Sequence, residues 1–225
     1  MSLTPIGDNM IQITRWRFVN AFLVREEDGF TLVDTTLGGG AGDLIEAARN
    51  AGAEIRRIAL THGHGDHVGS LDALMRQLGG SLEVLMPQLD ARIHAGAKVL
   101  DGKPPGSWPK ITTTPDVRLT GGERIGSLEV VPTPGHTPGH VSFLDPRDRT
   151  IIVGDTFTSI GGLAVSNHFY LRFPLATMGT WDKAKDLESA KKLRELDPAR
   201  LLVGHGGPVD EPRAAMDKAI ERAGG

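Results

Sequence analysis

The sequence predicts a mixed α and β fold, and three observations carry the prediction. Short apolar runs of strand length recur along the chain, and four of them end on glycine together with a histidine or an aspartate, at residues 62–67, 134–140, 154–156 and 204–207. Other stretches carry apolar residues at helical spacing, most clearly Leu71, Leu74, Met75 and Leu78 at i, i+3, i+4 and i+7. No linker of shifted composition separates the halves, so the 225 residues are expected to form a single domain over residues 1–225.

The elements follow in order. Residues 10–35 read as strands: Ile11-Gln-Ile13 alternates, Val19 to Val24 is an apolar run, and Glu26 to Gly29 is a turn before Phe30 to Val33. Gly38-Gly-Gly40 closes that region. Asp43 to Ala51 is expected to be helical, with Leu44, Ala47, Ala48 and Ala51 on one face and Gly52 as a stop. Residues 55–60 form a strand, Leu71 to Leu78 a helix ended by Gly79-Gly80, Leu82 to Met86 a strand, and Gln88 to about Ala97 a helix. Strands are expected at 117–119, 128–131, 141–144, 150–153 and 201–203. A loop is expected over about 157–180, then a helix over Trp181–Leu196 capped by Thr180, with Glu188 and Lys192 as an i,i+4 pair, and a last helix over 211–223.

Composition narrows the function classes. The formal net charge is −3, and no Lys/Arg run reaches five, so a nucleic-acid partner is not expected. With no cysteine there is neither a disulfide framework nor a thiolate ligand. The N-terminal residues are polar and no apolar run is long enough to span a bilayer, so no membrane partner is expected and the cytoplasm is the default compartment. Oligomeric state is open at this level.

The chemistry concentrates in His62-Gly-His64-Gly-Asp66-His67, three imidazoles and a carboxylate within six residues, directly after the apolar strand. Imidazole and carboxylate are the ligands a zinc-type divalent ion prefers. Gly63 and Gly65 let neighbouring side chains converge, and without a cation such a cluster would cost desolvation with little return. The remaining donors lie in Pro134-Gly-His-Thr-Pro-Gly-His140, Gly154-Asp155-Thr156 and Gly204-His205-Gly206. No Cys and no G-x-S-x-G sequence offers a covalent nucleophile.

The set T-H-x-H-x-D-H, P-G-H-T-P-G-H, G-D-T and G-H-G, in that order, resembles the metallo-β-lactamase superfamily of hydrolases, from the first strands to about Pro208. The resemblance implies an α+β fold, a four-layer αββα sandwich. It implies two divalent metal ions, zinc first with iron or manganese as alternatives. His62, His64 and His136 match the ligands of one ion, Asp66, His67 and His205 those of the other, and Asp155 the bridging carboxylate. Asp66 is also matched to handling the proton of a metal-held hydroxide. His140, outside that ligand set, is read as a supporting hydrogen-bonding residue, and His94 as a surface helix residue.

The expected reaction is metal-dependent hydrolysis of a small-molecule ester, thioester or lactone. The alternatives are a mononuclear-iron persulfide dioxygenase, an oxidoreductase of the same superfamily, and a β-lactamase. Thr158 stands where related lactonases carry tyrosine, and only about twenty residues follow His205, against a glutathione thioester. The substrate wall is expected in the 157–175 loop, through Phe157, His168, Tyr170 and Arg172, with Gly161-Gly162 giving it freedom as a lid. The segment Arg15-Trp16-Arg17-Phe18 and the 94–110 loop with Trp108 are further wall candidates.

Overall fold

The computed structural model describes residues 1–79 and 82–224; Gly80, half of the expected helix stop, lies outside the described residues. The chain folds as two compact units, Met1–Ala97 with Ser107–Leu119, and Lys98–Gly106 with Thr120–Gly225. Among the described residues no helix is long and apolar enough to cross a membrane.

In the first unit seven strands form one sheet in chain order: β1 (Ser2–Ile6), β2 (Met10–Arg15), β3 (Val19–Glu26), β4 (Gly29–Val33), β5 (Ile55–Ala59), β6 (Glu83–Pro87) and β7 (Val117–Leu119). Strands β1 to β4 pair antiparallel through tight turns. From β4 to β7 the pairing is parallel, because helical crossovers intervene. These crossovers carry α1 (Ala41–Asn50), the short α2 (Gly65–Val68) with α3 (Leu71–Leu78), and α4 (Gln88–His94). Leu44, Ala47 and Ala48 of α1 and Leu71 and Leu74 of α3 bury the stripe read from the sequence, against Ile13, Leu23, Leu32, Ile58 and Val84 of the sheet. Gly79 adopts φ 79°, the left-handed conformation that ends α3. The unexpected β1 pairs along β2 and is exposed over its first four residues, so it has none of the alternation that flags a half-buried strand.

The second unit holds a six-stranded sheet in the order β15 (Val209–Asp210), β14 (Arg200–Leu202), β11 (Thr150–Ile152), β10 (Val141–Asp145), β9 (Leu128–Pro132) and β8 (Arg124–Ile125), antiparallel except for β11 and β14. Its helices are α5 (Pro174–Gly179), α6 (Lys183–Glu195) and α7 (Arg213–Arg222). Ala190 and Leu193 of α6 and Met216 and Ala219 of α7 pack on Ile151, Val153, Leu201 and Val203.

The 157–180 segment corrects the expected loop. It contains a hairpin, β12 (Phe157–Thr158) with β13 (Ala164–Val165), followed by α5. Phe157, expected on a substrate wall, is fully buried in the second unit's core beside Val165 and Leu163, because the strand register turns it inward. The N-cap of α6 is Asp182, whose carboxylate accepts from the Lys185 amide at 3.0 Å, in place of Thr180.

Asp72, in the first turn of α3, fastens residues 112–113 by accepting from Thr112 N, Thr112 Oγ1, Thr113 N and Thr113 Oγ1 at 2.6–2.9 Å. Burial opposes its ionisation, but these donors prevail and hold its pKa below the ordinary carboxylate value. A depressed folded pKa means stability that is present above the unfolded value, about 4, and lost as the pH falls through the folded one. Asp72→Ala is therefore expected to lower thermal stability at neutral pH by about 1 kcal/mol, allowing for solvent screening. In parallel melts the gap to the parent protein should close on acidification; a gap that does not depend on pH would contradict this assignment.

Candidate metal ligands

The residues able to hold a metal ion are His62, His64, Asp66 and His67 in the first unit and His136, Asp155 and His205 in the second. In the first unit they follow the carboxyl end of β5, where side chains of parallel sheets are free to converge. His62, His64 and His67 are buried, while Asp66 is half-buried in the first turn of α2. The ring centroids of His62 lie 4.9 Å from those of His64 and 4.0 Å from those of His67.

Which imidazole nitrogen faces inward is set by partners on the other side. Asp34 is wholly buried and accepts from Thr61 N and Thr61 Oγ1, each at 2.8 Å, and from His67 Nδ1 at 2.8 Å. The single Thr61 hydroxyl proton is thereby committed to Asp34. Its oxygen must accept from His62 Nδ1, 3.0 Å away. Both rings are thus Nδ1–H tautomers, and Nε2 carries the lone pair a metal needs. Asp34 has φ 61° and Thr36 φ 57°, unfavourable for non-glycine residues and worst for a β-branched one. Hydrogen bonds from Asp34 N to Ala59 O and Thr35 N to His67 O hold the strained turn, which is expected where function fixes the backbone. Arg15, expected on a pocket wall, is buried and spends its guanidinium on this turn. It donates to Thr36 Oγ1, Leu37 O and Gly39 O and pairs with Asp43.

The second unit repeats the device with different residues. His136, between β9 and β10, has Nδ1 3.0 Å from Thr180 Oγ1. That hydroxyl faces the carbonyls of Ser166 and Ala176 at 3.0 and 2.9 Å, so its one proton goes to a carbonyl and it accepts from the ring. His136 Nε2 and His205 Nε2 lie 3.5 and 3.1 Å from the same oxygen, Asp155 Oδ2. Imidazole nitrogen and carboxylate oxygen are donor types that a zinc-type ion takes. His140 supports this arrangement: Nδ1 meets Thr133 Oγ1 at 2.9 Å, and Nε2 accepts from the Asp155 amide at 3.2 Å. Its Nε2 lone pair is thus committed to positioning Asp155. Close by, burial and the charge of Asp155 push the Asp186 carboxyl well above its ordinary value, favouring the neutral acid. Gly135, at φ 144°, touches the Asp186 backbone so closely that a Cβ would lie 2.2 Å from its nitrogen.

The remaining candidates fall as follows. Tyr170 Oη and Arg172 Nη1 both donate to the Gly161 carbonyl, at 2.8 and 3.2 Å, and so draw the 157–175 segment closed on itself. His168 is half-buried, and its carbonyl accepts from Thr177 Oγ1. Phe173 is buried with its ring 4.7 Å from that of His205. Trp16 is 65% exposed at φ 53°. His94, expected on an open helix surface, is instead half-buried with Nε2 2.8 Å from the Gly63 carbonyl. Asp34, Thr61, Asp90 and Thr180 were not foreseen. Of these, Thr61 opens the T-H-x-H-x-D-H motif and Asp34 is the first polar residue after an apolar strand.

The metallo-β-lactamase superfamily model matches residues 14–205. The chain belongs to the metallo-β-lactamase superfamily. It is 43% identical over 211 residues to the uncharacterised Bacillus subtilis protein YobT, with 91% of this chain and 90% of that protein covered. It is 34% identical over 170 residues to a hydroxyacylglutathione hydrolase of Rhodopseudomonas palustris, covering 73% of this chain and 54% of the relative. The chain thus spans about half the length of that hydrolase. Among solved structures, TTHA1623 in a di-iron-bound form aligns with TM-score 0.68 and 29% identity, over 90% of this chain and 94% of the other. These matches establish the α+β metallo-β-lactamase fold.

Because Asp34 fixes two imidazoles, Asp34→Ala should weaken metal binding about 10–100-fold even though Asp34 is not assigned as a ligand. Competition with a chromophoric chelator measures this, and unchanged affinity would contradict the tautomer argument.

Proposed function

We propose that this superfamily member is a two-metal hydrolase of small-molecule thioesters or related carboxylic esters, acting as a small-molecule enzyme of the cytoplasm with neither nucleic-acid nor membrane partners. In this reading His62, His64 and His136 hold one ion, Asp66, His67 and His205 the other, and Asp155 touches both. The observation that carries it is the tautomer control: Thr61, Asp34 and Thr180 each hold a histidine so that Nε2 is the ligand nitrogen. The di-iron form of TTHA1623 supports a two-metal centre, and the hydroxyacylglutathione hydrolases support a thioester.

Ions bound there would lower the pKa of water from about 16 to about 7 and polarise a carbonyl. The protein's own part is positional and protonic. Asp66 is half-buried, and so accessible enough to hold and pass a proton at its carboxylate. His140 and the 134–140 loop fix Asp155 through its backbone amide. Zinc fits the all-N,O donor set, and so do iron and manganese.

Metal analysis of the purified protein should approach two ions per chain, and activity on a panel of thioesters, esters, lactones and β-lactams should be highest on thioesters, disappear with a chelator and return with zinc or manganese. One bound iron with oxygen uptake on a persulfide would replace this reading with the dioxygenase, and a preference for β-lactams would replace it with the lactamase. Asp155→Ala should lower occupancy of both ions, and Asp66→Ala should lower turnover more than it lowers total metal. Full metal and full activity in both variants would overturn the assignment of roles.

A further inference from the structure

Gly63 is the hinge between two proposed ligands of one ion, and both ends of its backbone are gripped by a single helix. Its amide N–H donates to Asp90 Oδ2 at 2.8 Å, and its carbonyl lies 2.8 Å from His94 Nε2. Asp90 and His94 are four residues apart on α4, so they project from one face, about one turn from each other. Asp90 is wholly buried. The Trp108 ring closes the third side, 5.1 Å from the ring of His64 and 5.3 Å from that of His94. A Cβ on Gly63 would lie 2.5 Å from Trp108 and 2.9 Å from His94, so the space is filled. Next along, the Gly65 amide donates to the Ser107 carbonyl at 2.8 Å. Asp34 and Thr61 fix ring tautomers; the α4 contacts act on the peptide that sets the angle between His62 and His64.

We propose that Asp90 and His94 are positioning residues that fix the His62–His64 bite for one metal ion, with Trp108 as the packing wall that holds His94 in place. This rests on the two-metal reading above. A buried carboxylate and an imidazole one helical turn apart hold the glycine peptide from both ends. Asp90 supplies a carboxylate oxygen to the N–H end of the peptide, and His94 sets a ring nitrogen on a short, rigid side chain against its carbonyl end. Both hydrogen bonds act on the Gly63 peptide, between His62 and His64, so their loss should alter the geometry of one ion's site and leave the other's ligands as they are.

The test is a stepwise cobalt(II) titration of full-length protein against a competing chelator, read by the visible absorption of each step, with the variants His94→Leu, His94→Gln, Asp90→Leu and Asp90→Asn. Gln keeps an N–H donor near the Nε2 position, and Asn keeps an oxygen acceptor. In His94→Leu and Asp90→Leu, one of the two steps should weaken about 10–100-fold and shift its absorption, with the other step unchanged. Gln and Asn should restore most of the loss, which general damage to folding would not allow. Wild-type protein taking up two ions with His94→Leu and Asp90→Leu titrating identically to it overturns the positioning role alone. So does an equal loss at both steps that Gln and Asn fail to restore. Wild-type protein taking up no cobalt overturns the two-metal reading and this inference together.

Discussion

The structure of the first unit depends on one buried carboxylate. Asp34 is fully shielded from water yet collects three donors, the amide and hydroxyl of Thr61 and Nδ1 of His67. A buried charge without such partners is unaffordable, and removing one partner of a buried pair costs about 3–5 kcal/mol. Those donors therefore have to be where they are. Thr61 follows β5 and His67 sits in α2, so Asp34 ties the carboxyl end of β4 to both segments that carry the histidines. The left-handed backbone at Asp34 and Thr36 is the conformational cost of aiming the carboxylate there, and Arg15 holds the segment through Thr36, Leu37 and Gly39 while pairing with Asp43 of α1.

The second unit reaches the same end without a carboxylate. There the hydroxyl of Thr180, already committed to backbone carbonyls, can only accept from His136. An ionised partner raises the basicity of a ligand histidine, and a hydroxyl orients it with less electrostatic influence. His67 and His136 are thus held as the same tautomer, one by a carboxylate and the other by a hydroxyl. That asymmetry arises from ordinary hydrogen-bond bookkeeping rather than from the ligands themselves. Residues outside the seven donor positions thus set how those side chains are held, Asp34, Thr61 and Thr180 among them.

The clustering of the donor residues was legible in the sequence because most of them lie close together in the chain. His62, His64, Asp66 and His67 lie within six residues and follow a strand, and strand-then-loop patterning announces Asp155 and His205 in the same way. The helices α1, α3 and α7 were legible from apolar spacing within one or two residues at their ends. What was illegible depends on contacts distant in sequence. Asp34 reaches His67 across 33 residues, Thr180 reaches His136 across 44, and Asp90 reaches Gly63 across 27. No periodicity encodes such pairs. The 157–180 segment was misread because its two-residue strands are too short to alternate, and Phe157 because a buried aromatic and a pocket aromatic look alike in one dimension. His94 was misread because a helix residue packed on a loop has the same local spacing as one facing water.

The central claim is that buried partners hold His62, His67 and His136 with the proton on Nδ1 and the lone pair on Nε2. Two-bond nitrogen–proton correlation spectra of the uniformly nitrogen-15-labelled, metal-free protein report the tautomer of each imidazole directly. The account predicts a protonated Nδ1 and an unprotonated Nε2 for all three rings, with the His67 pattern lost in Asp34→Ala and the His136 pattern lost in Thr180→Val. Rings that carry the proton on Nε2 in the parent protein would contradict it.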